Sequence, residues 1–224
     1  MQVEPGTVRV YTDVVCGWST IALYRFYRER EKAGLTDAVR VDHRLFALED
    51  VNRFPIPKRY LEGEIPVLGT CEPEFGFKPW QADLSTWPGT SLPANEAVHA
   101  AKLQSFEAAE ELDMAIRFAF FRDSRPIHLL HELYDIAEGC ASVRTDDLVE
   151  ALETGSARAA MMRDYRGHVD DVQGSPHFFL VDGSDVHNPG LELHWVGDPG
   201  AGFPVVDDDD PSAMAELVRR AAGR

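Results

Sequence analysis

The stretch Val8-Arg9-Val10-Tyr11-Thr12-Asp13-Val14-Val15-Cys16-Gly17-Trp18-Ser19 decides how the chain is read. Residues 8–14 form a short β-branched run, the signature of a strand. From Trp18 the period changes. Ser19, Ala22, Leu23, Phe26 and Tyr27 recur at helical spacing, Arg25, Arg28, Glu29 and Arg30 supply a polar side, and Gly34 closes the helix. Cys16 therefore stands where a strand hands over to a helix. The first N–H groups of a helix lack intrahelical partners and carry partial positive charge, so a thiolate placed there is stabilised. The thiolate is the reactive form of cysteine, and a depressed pKa is expected for Cys16.

Working outward, Val39, Val41, His43 and Leu45 alternate with Arg40, Asp42 and Arg44, which predicts a half-buried strand. Strand, helix and strand make a βαβ unit with parallel strands. Residues 47–92 are rich in proline, glycine and aromatics (Phe54, Tyr60, Phe75, Phe77, Trp80, Trp87) and read as a long irregular segment packed on the domain or lining a cleft. Residues 93–172 carry helical patterns: Ala, Leu and Phe dominate Ala94 to Phe121, a further helix runs near Ile127 to Glu138, Thr145 caps another that ends at Gly155, and Ser156 caps one reaching about Val172. Then come a strand over 177–181, a turn at Asp182-Gly183, a return strand near Asp185 to Asn188, and a last helix from Ala213 to Ala222. Asp207 to Asp210 read as a solvated loop leading into the negative first turn of that helix.

Composition narrows the function. With 22 Lys+Arg against 38 Asp+Glu the formal net charge is −16, opposite to what a nucleic-acid or anionic-membrane partner requires. No stretch approaches the ~18 apolar residues of a membrane span. Residues 1–6 have no basic and apolar leader pattern, so a cytoplasmic location is expected. Cys16, Cys71 and Cys140 are odd in number and widely spaced, which fits neither a disulfide framework nor a zinc site, and no metal is expected. His128 and His131 share a helix face without enough further ligands, and read as surface or cap residues.

A second motif lies far along the chain. In Gly174-Ser175-Pro176 the proline enters a strand without a ladder donor, and X-Pro is the bond that adopts cis at low cost, about 0.5–1 kcal/mol. A cis Ser175-Pro176 bond turns the Ser175 backbone outward, ready to pair with an extended thiol substrate. His177, next in line, is a group that could act on the Cys16 thiol if charged.

With both motifs in hand, the chain resembles the DsbA-like thioredoxin family, in particular its FrnE-like and 2-hydroxychromene-2-carboxylate-isomerase-like branches. Ser91-Leu92-Pro93-Ala94-Asn95, Ala119-Phe120-Phe121, Gly174-Ser175-Pro176-His177-Phe178 and Asn188-Pro189-Gly190 are similar to landmarks of that family. The resemblance implies an α/β thioredoxin fold with a helical insertion. Residues 1–92 would form its N-terminal part with the long loop, 93–164 the insertion, and 165–224 its C-terminal part.

The departures from the family pattern bear on function. The usual active motif is C-P-x-C; here Cys16 matches the nucleophile, Gly17 replaces proline and Ser19 replaces the resolving cysteine. A serine cannot resolve a mixed disulfide. The resemblance thus implies a thiol-disulfide oxidoreductase with Cys16 as nucleophile and Ser19 as a hydroxyl donor to it. Gly17, Trp18, Ser175 and Pro176 would contact substrate, with Trp18 exposed at the helix start. An external thiol such as glutathione, or less directly Cys71 or Cys140, would resolve the adduct. Glutathione enters as co-substrate rather than cofactor, and a homodimer is common among relatives. The alternatives are a glutathione-dependent isomerase or transferase of the kappa-class type, and a non-catalytic thioredoxin-fold binding protein. The motif is also similar to the C-G-F-S of monothiol glutaredoxins that share an iron–sulfur cluster, but those are far shorter and lack a helical insertion.

Overall fold

The computed structural model describes residues 1–198 and 201–223. In chain order the elements begin with β1 (Thr7–Thr12), α1 (Gly17–Lys32), β2 (Arg40–Leu45), α2 (Leu48–Val51) and α3 (Lys58–Cys71). The helical block follows as α4 (Leu92–Gln104), α5 (Phe106–Phe121), α6 (Leu130–Glu138), α7 (Thr145–Thr154) and α8 (Arg158–His168). The chain closes with β3 (His177–Phe179), β4 (Asp185–His187), β5 (Leu191–Val196), β6 (Phe203–Asp209) and α9 (Ser212–Ala221). The main sheet runs β2-β1-β3-β4, with β1 and β2 parallel and both other pairings antiparallel.

Strand alternation sorts the core. Val8, Val10, Val41 and Phe178 face α1 and α9 through Leu23, Phe26, Met214, Leu217 and Val218, while Tyr11 and Phe179 point the other way, toward Phe46 and Val172. Phe26 is fully buried, a burial that contributes roughly 1.5–3 kcal/mol. Gly34 ends the α1 segment at a φ of +66°, and Arg30 and Lys32 complement the dipole in the last turn. The βαβ start, the Asp182-Gly183 turn and the last helix follow the expectation.

Several expectations are corrected. Residues 47–92 are not wholly irregular, because α3 crosses them. Leu61, Ile65 and Leu68 recur at i, i+4 and i+7 and are buried along one face, and this packing carries the helix through Pro66. β2 is buried on both faces, since Asp42 is neutralised by Arg9, Arg44 and Lys102 beneath the helical block. Thr145 and Ser156 are not caps: Arg144 and Ala157 hold those positions and neither side chain bonds the helix start. Asp207, Asp208 and Asp209 lie in β6, which pairs with β5 in a separate two-stranded sheet, and not in a loop. The stretch Leu191–Val196 alternates Leu, Leu and Trp with polar residues, which is the signal for that strand.

Candidate active site

Cys16 is the N-cap of α1. Its Sγ accepts the Ser19 N–H at 3.4 Å, and the thiol donates to the carbonyl oxygen of Ser175 at 3.2 Å. The Ser175-Pro176 bond is cis. The two motifs, 159 residues apart, therefore meet at the sulfur. The Ser175 side chain is pinned as well, because its Oγ accepts the Asp13 N–H at 3.1 Å.

A buried polar scaffold holds the β1–α1 connection. Asp13 accepts from the Val15 and Leu48 N–H groups, from Ser91 Oγ and from Asn95 Nδ2. Asn95 Oδ1 in turn accepts the Val14 N–H at 3.2 Å. Ser91 and Asn95 thus anchor the Cys16 loop to the start of α4. Burial pushes the Asp13 carboxyl up against the pull of these donors. Behind α1, Arg117 is completely buried; it pairs with Asp113 and donates to Ser19 Oγ, Thr20 Oγ1 and Thr12 Oγ1.

α3 lies across the first turn of α1. Trp18 Nε1–H donates to Glu64 Oε1 at 2.8 Å, and Leu68, one turn further along α3, packs on Gly17 so closely that a Cβ there would stand 2.3 Å from Leu68 Cδ1. Tyr60 packs at a tilt on Trp195 of β5 with centroids 4.7 Å apart, and Arg25 grips Asp209 of β6 through two bonds. The second sheet and α3 are thereby tied to α1.

This layer corrects the expected exposure. Trp18 is 8% exposed and Cys16 is 6% exposed. Burial is the largest influence on the Cys16 thiol and pushes its pKa up; the contacts with Ser175 and the Ser19 N–H pull it back only in part. Sequence places the sulfur at the helix start but does not reveal the helix laid over it. The Ser19 hydroxyl bonds to the carbonyls of Asp13 and Cys16 and to Arg117, which stitches the turn together, and it also acts on the thiol, pulling its pKa down. His177 is bonded to Asp185 and to the Gln173 N–H, which removes it from the thiol's chemistry. Cys71 follows the α3–α1 contacts away from Cys16, its carbonyl held by Arg25, and Cys140 Sγ is buried against the Ile136 carbonyl with its pKa raised to about 11. All three cysteines are free thiols. Asp13, Glu64, Asn95 and Arg117 are site residues that motif reading missed. Among them only Asn95, inside a family-like landmark, carried a signal.

A βαβ start, a helical insertion, and a cis-proline strand facing a helix-start cysteine together define a thioredoxin fold of the DsbA-like kind. No family model and no curated protein matches the sequence. Solved structures share the fold. The cytosolic disulfide reductase DsbM from Pseudomonas aeruginosa is 16% identical with a TM-score of 0.65, over 95% of this chain and 97% of that one. A second structure of the reductase, with GSH, gives a TM-score of 0.53. A "probable DsbA oxidoreductase" from Streptomyces coelicolor is 19% identical at a TM-score of 0.66, over 97% and 90% of the two chains. A 2-hydroxychromene-2-carboxylate isomerase is 15% identical at 0.58, over 80% and 87%. Among the described residues no helix is long and apolar enough to cross a membrane.

Proposed function

We propose that the protein is a thiol-disulfide oxidoreductase that works through one nucleophilic sulfur, Cys16, with an external thiol such as glutathione as resolver. The observation that carries this reading is the meeting of Cys16 Sγ, the Ser19 N–H and the Ser175 carbonyl within 3.4 Å. The Ser19 N–H is the contact that favours a thiolate, working against the burial that raises the thiol, and the Ser175 backbone beside the sulfur is placed to pair with an extended disulfide substrate. The fold shared with a cytosolic disulfide reductase, solved also with GSH, supports glutathione as co-substrate and a cytoplasmic setting.

In the reaction the Cys16 thiolate attacks one sulfur of a disulfide, forms a mixed disulfide and releases the other sulfur as a thiol. A second external thiol then frees Cys16. Ser19 has no part in the resolution, since it is buried and bonded to the backbone.

Incubation with glutathione disulfide followed by intact-mass measurement tests the reading. One added glutathione on the wild type, absent from Cys16→Ala, is the expected result. Glutathione that binds without an adduct and survives Cys16→Ala points instead to the isomerase or transferase reading, which the fold shared with 2-hydroxychromene-2-carboxylate isomerase favours. No adduct and no binding leave a non-catalytic binding protein.

A further inference from the structure

Cys16 stands under a fixed cover. Every residue from Tyr11 to Thr20 is buried, and of the two residues bonded to the sulfur, Ser19 is buried and Ser175 half-buried. α3 closes the side on which the chain continues into α1. Leu68 fills the space over Gly17, and Glu64 takes the Trp18 indole N–H. The cover is held at both ends. Tyr60, in the first turn of α3, packs on Trp195 of β5. Glu72, just past the last turn, accepts from Arg25, which also holds Asp209 of β6. Two crevices border the neighbours of Cys16, one lined by Val15, Ile56 and Pro88 and the other by Trp18, Asn188 and Met214, and each measures about 10 Å³. That is room for roughly one water, not for the anchoring side chain of a docked protein.

We propose that this cover sets the substrate class: Cys16 exchanges with low-molecular-weight disulfides such as glutathione disulfide and is closed to disulfides held in a folded protein. The inference rests on the thiol-exchange reading above. In the step itself, Cys16 gives up its thiol proton to water and its sulfur bonds to one glutathionyl sulfur. The S–S bond of the substrate breaks, and the departing glutathione thiolate takes up a proton. Cys16 is oxidised and the disulfide is reduced.

The approach that remains runs past Gly174 and Ser175, both half-buried. A slender disulfide entering there can lay one half along the Ser175 backbone and point its second sulfur outward. A disulfide in a folded protein carries two chains whose Cα atoms lie about 5.5–6 Å apart, with neighbouring elements packed roughly 5–10 Å beyond them. Such a body meets α3 and the β5–β6 sheet before its sulfur reaches Sγ. Swinging the cover aside would break the Trp18–Glu64 bond, the Tyr60–Trp195 contact and the Arg25 pairs together.

Single-turnover exchange tests the restriction. The reduced protein is mixed with glutathione disulfide or with insulin, whose disulfides lie in a folded protein, and the mixed disulfide at Cys16 is followed by acid quench and mass. Dividing each rate by that of free cysteine with the same disulfide at the same pH cancels the reactivity of the S–S bond itself. Glutathione disulfide should then lead insulin by at least about a hundredfold. Trp195→Ala and Asp209→Ala each undo one tie of the cover and leave the sulfur's own contacts in place. Both should raise the normalised insulin rate several-fold while glutathione disulfide changes little. Equal normalised rates in the wild type, or an insulin rate that neither variant raises, overturn the restriction. No mixed disulfide with glutathione disulfide in the wild type sinks the exchange reading itself, whereas exchange that is fast with both disulfides sinks only the limit on size.

Discussion

Arg117 donates to Ser19 Oγ at 2.9 Å across 98 residues of sequence, and it does so with none of its side chain exposed. The hydroxyl that stands at the resolving-cysteine position is therefore part of an internal ion network. Its other members are Asp113, Thr12, Thr20 and the Asp13 carbonyl. Removing the guanidinium strands Asp113 as an unpaired charge in the interior. Arg117→Met should cost about 3–5 kcal/mol in urea unfolding, and a second change, Asp113→Leu, should recover part of it. A loss below about 1 kcal/mol for the single variant would show that the network is not buried as described.

Gly17 has a packing reason for being glycine. The Leu68 side chain fills the space of its missing Cβ, and Leu68 is itself fully buried. Gly17→Ala should therefore push α3 off the first turn of α1, at about 1–3 kcal/mol. Leu68→Ala opens a cavity, at about 2–5 kcal/mol. The double variant should be more stable than the sum of the two losses predicts, because each change makes room for the other. Strict additivity in denaturant titrations would mean that the two residues do not touch.

The strand–cysteine–helix junction and the Ser175-Pro176 turn are legible in sequence because local chemistry sets them: a period change, a missing ladder donor, a turn dipeptide. What covers Cys16 is not legible in the same way. α3 hides in a proline-rich stretch, and its Leu61, Ile65 and Leu68 stripe is interrupted by Pro66. Trp18 reads as exposed until Glu64, 46 residues away, is placed on it. The Asp207–Asp209 run reads as solvent-facing because nothing local announces Arg25 as the partner of Asp209. Burial of a charge depends on the partner that tertiary structure delivers, and a single sequence does not name that partner.

The Arg25–Asp209 pair fixes the second sheet to α1. Arg25 is 4% exposed, and its bonds to Asp209 measure 2.6 and 2.9 Å. Asp209→Ala leaves Arg25 with Glu72 and the Cys71 carbonyl, so the arginine itself should stay in place. The hairpin should loosen instead. Amide hydrogen exchange in Leu191–Val196 and Phe203–Asp209 should speed up several-fold more than that in β1, a local opening below the global one. Uniform acceleration across both sheets would instead mark Asp209 as a global stabiliser.

Two buried histidines make the fold sensitive to mild acid. His99 is 7% exposed and its pKa falls to about 3, chiefly through burial, with Lys102 and Arg44 adding repulsion. His43, whose Nε2 meets the Tyr27 hydroxyl at 2.9 Å, is lowered for the same main reason. Both are neutral in the folded chain at neutral pH. Unfolding returns them to about 6.5, so below that pH the unfolded chain binds protons that the folded chain refuses. Stability is then full above about pH 6.5 and falls as pH drops from there toward 3. At pH 5 the His99 share of the loss is about 2 kcal/mol. His99→Leu should remove that share and leave the His43 part, so the loss of stability between pH 7.5 and 5, read by urea unfolding, should shrink by about 2 kcal/mol. An undiminished fall would mean that His99 is already protonated in the native protein and that its burial is not as described.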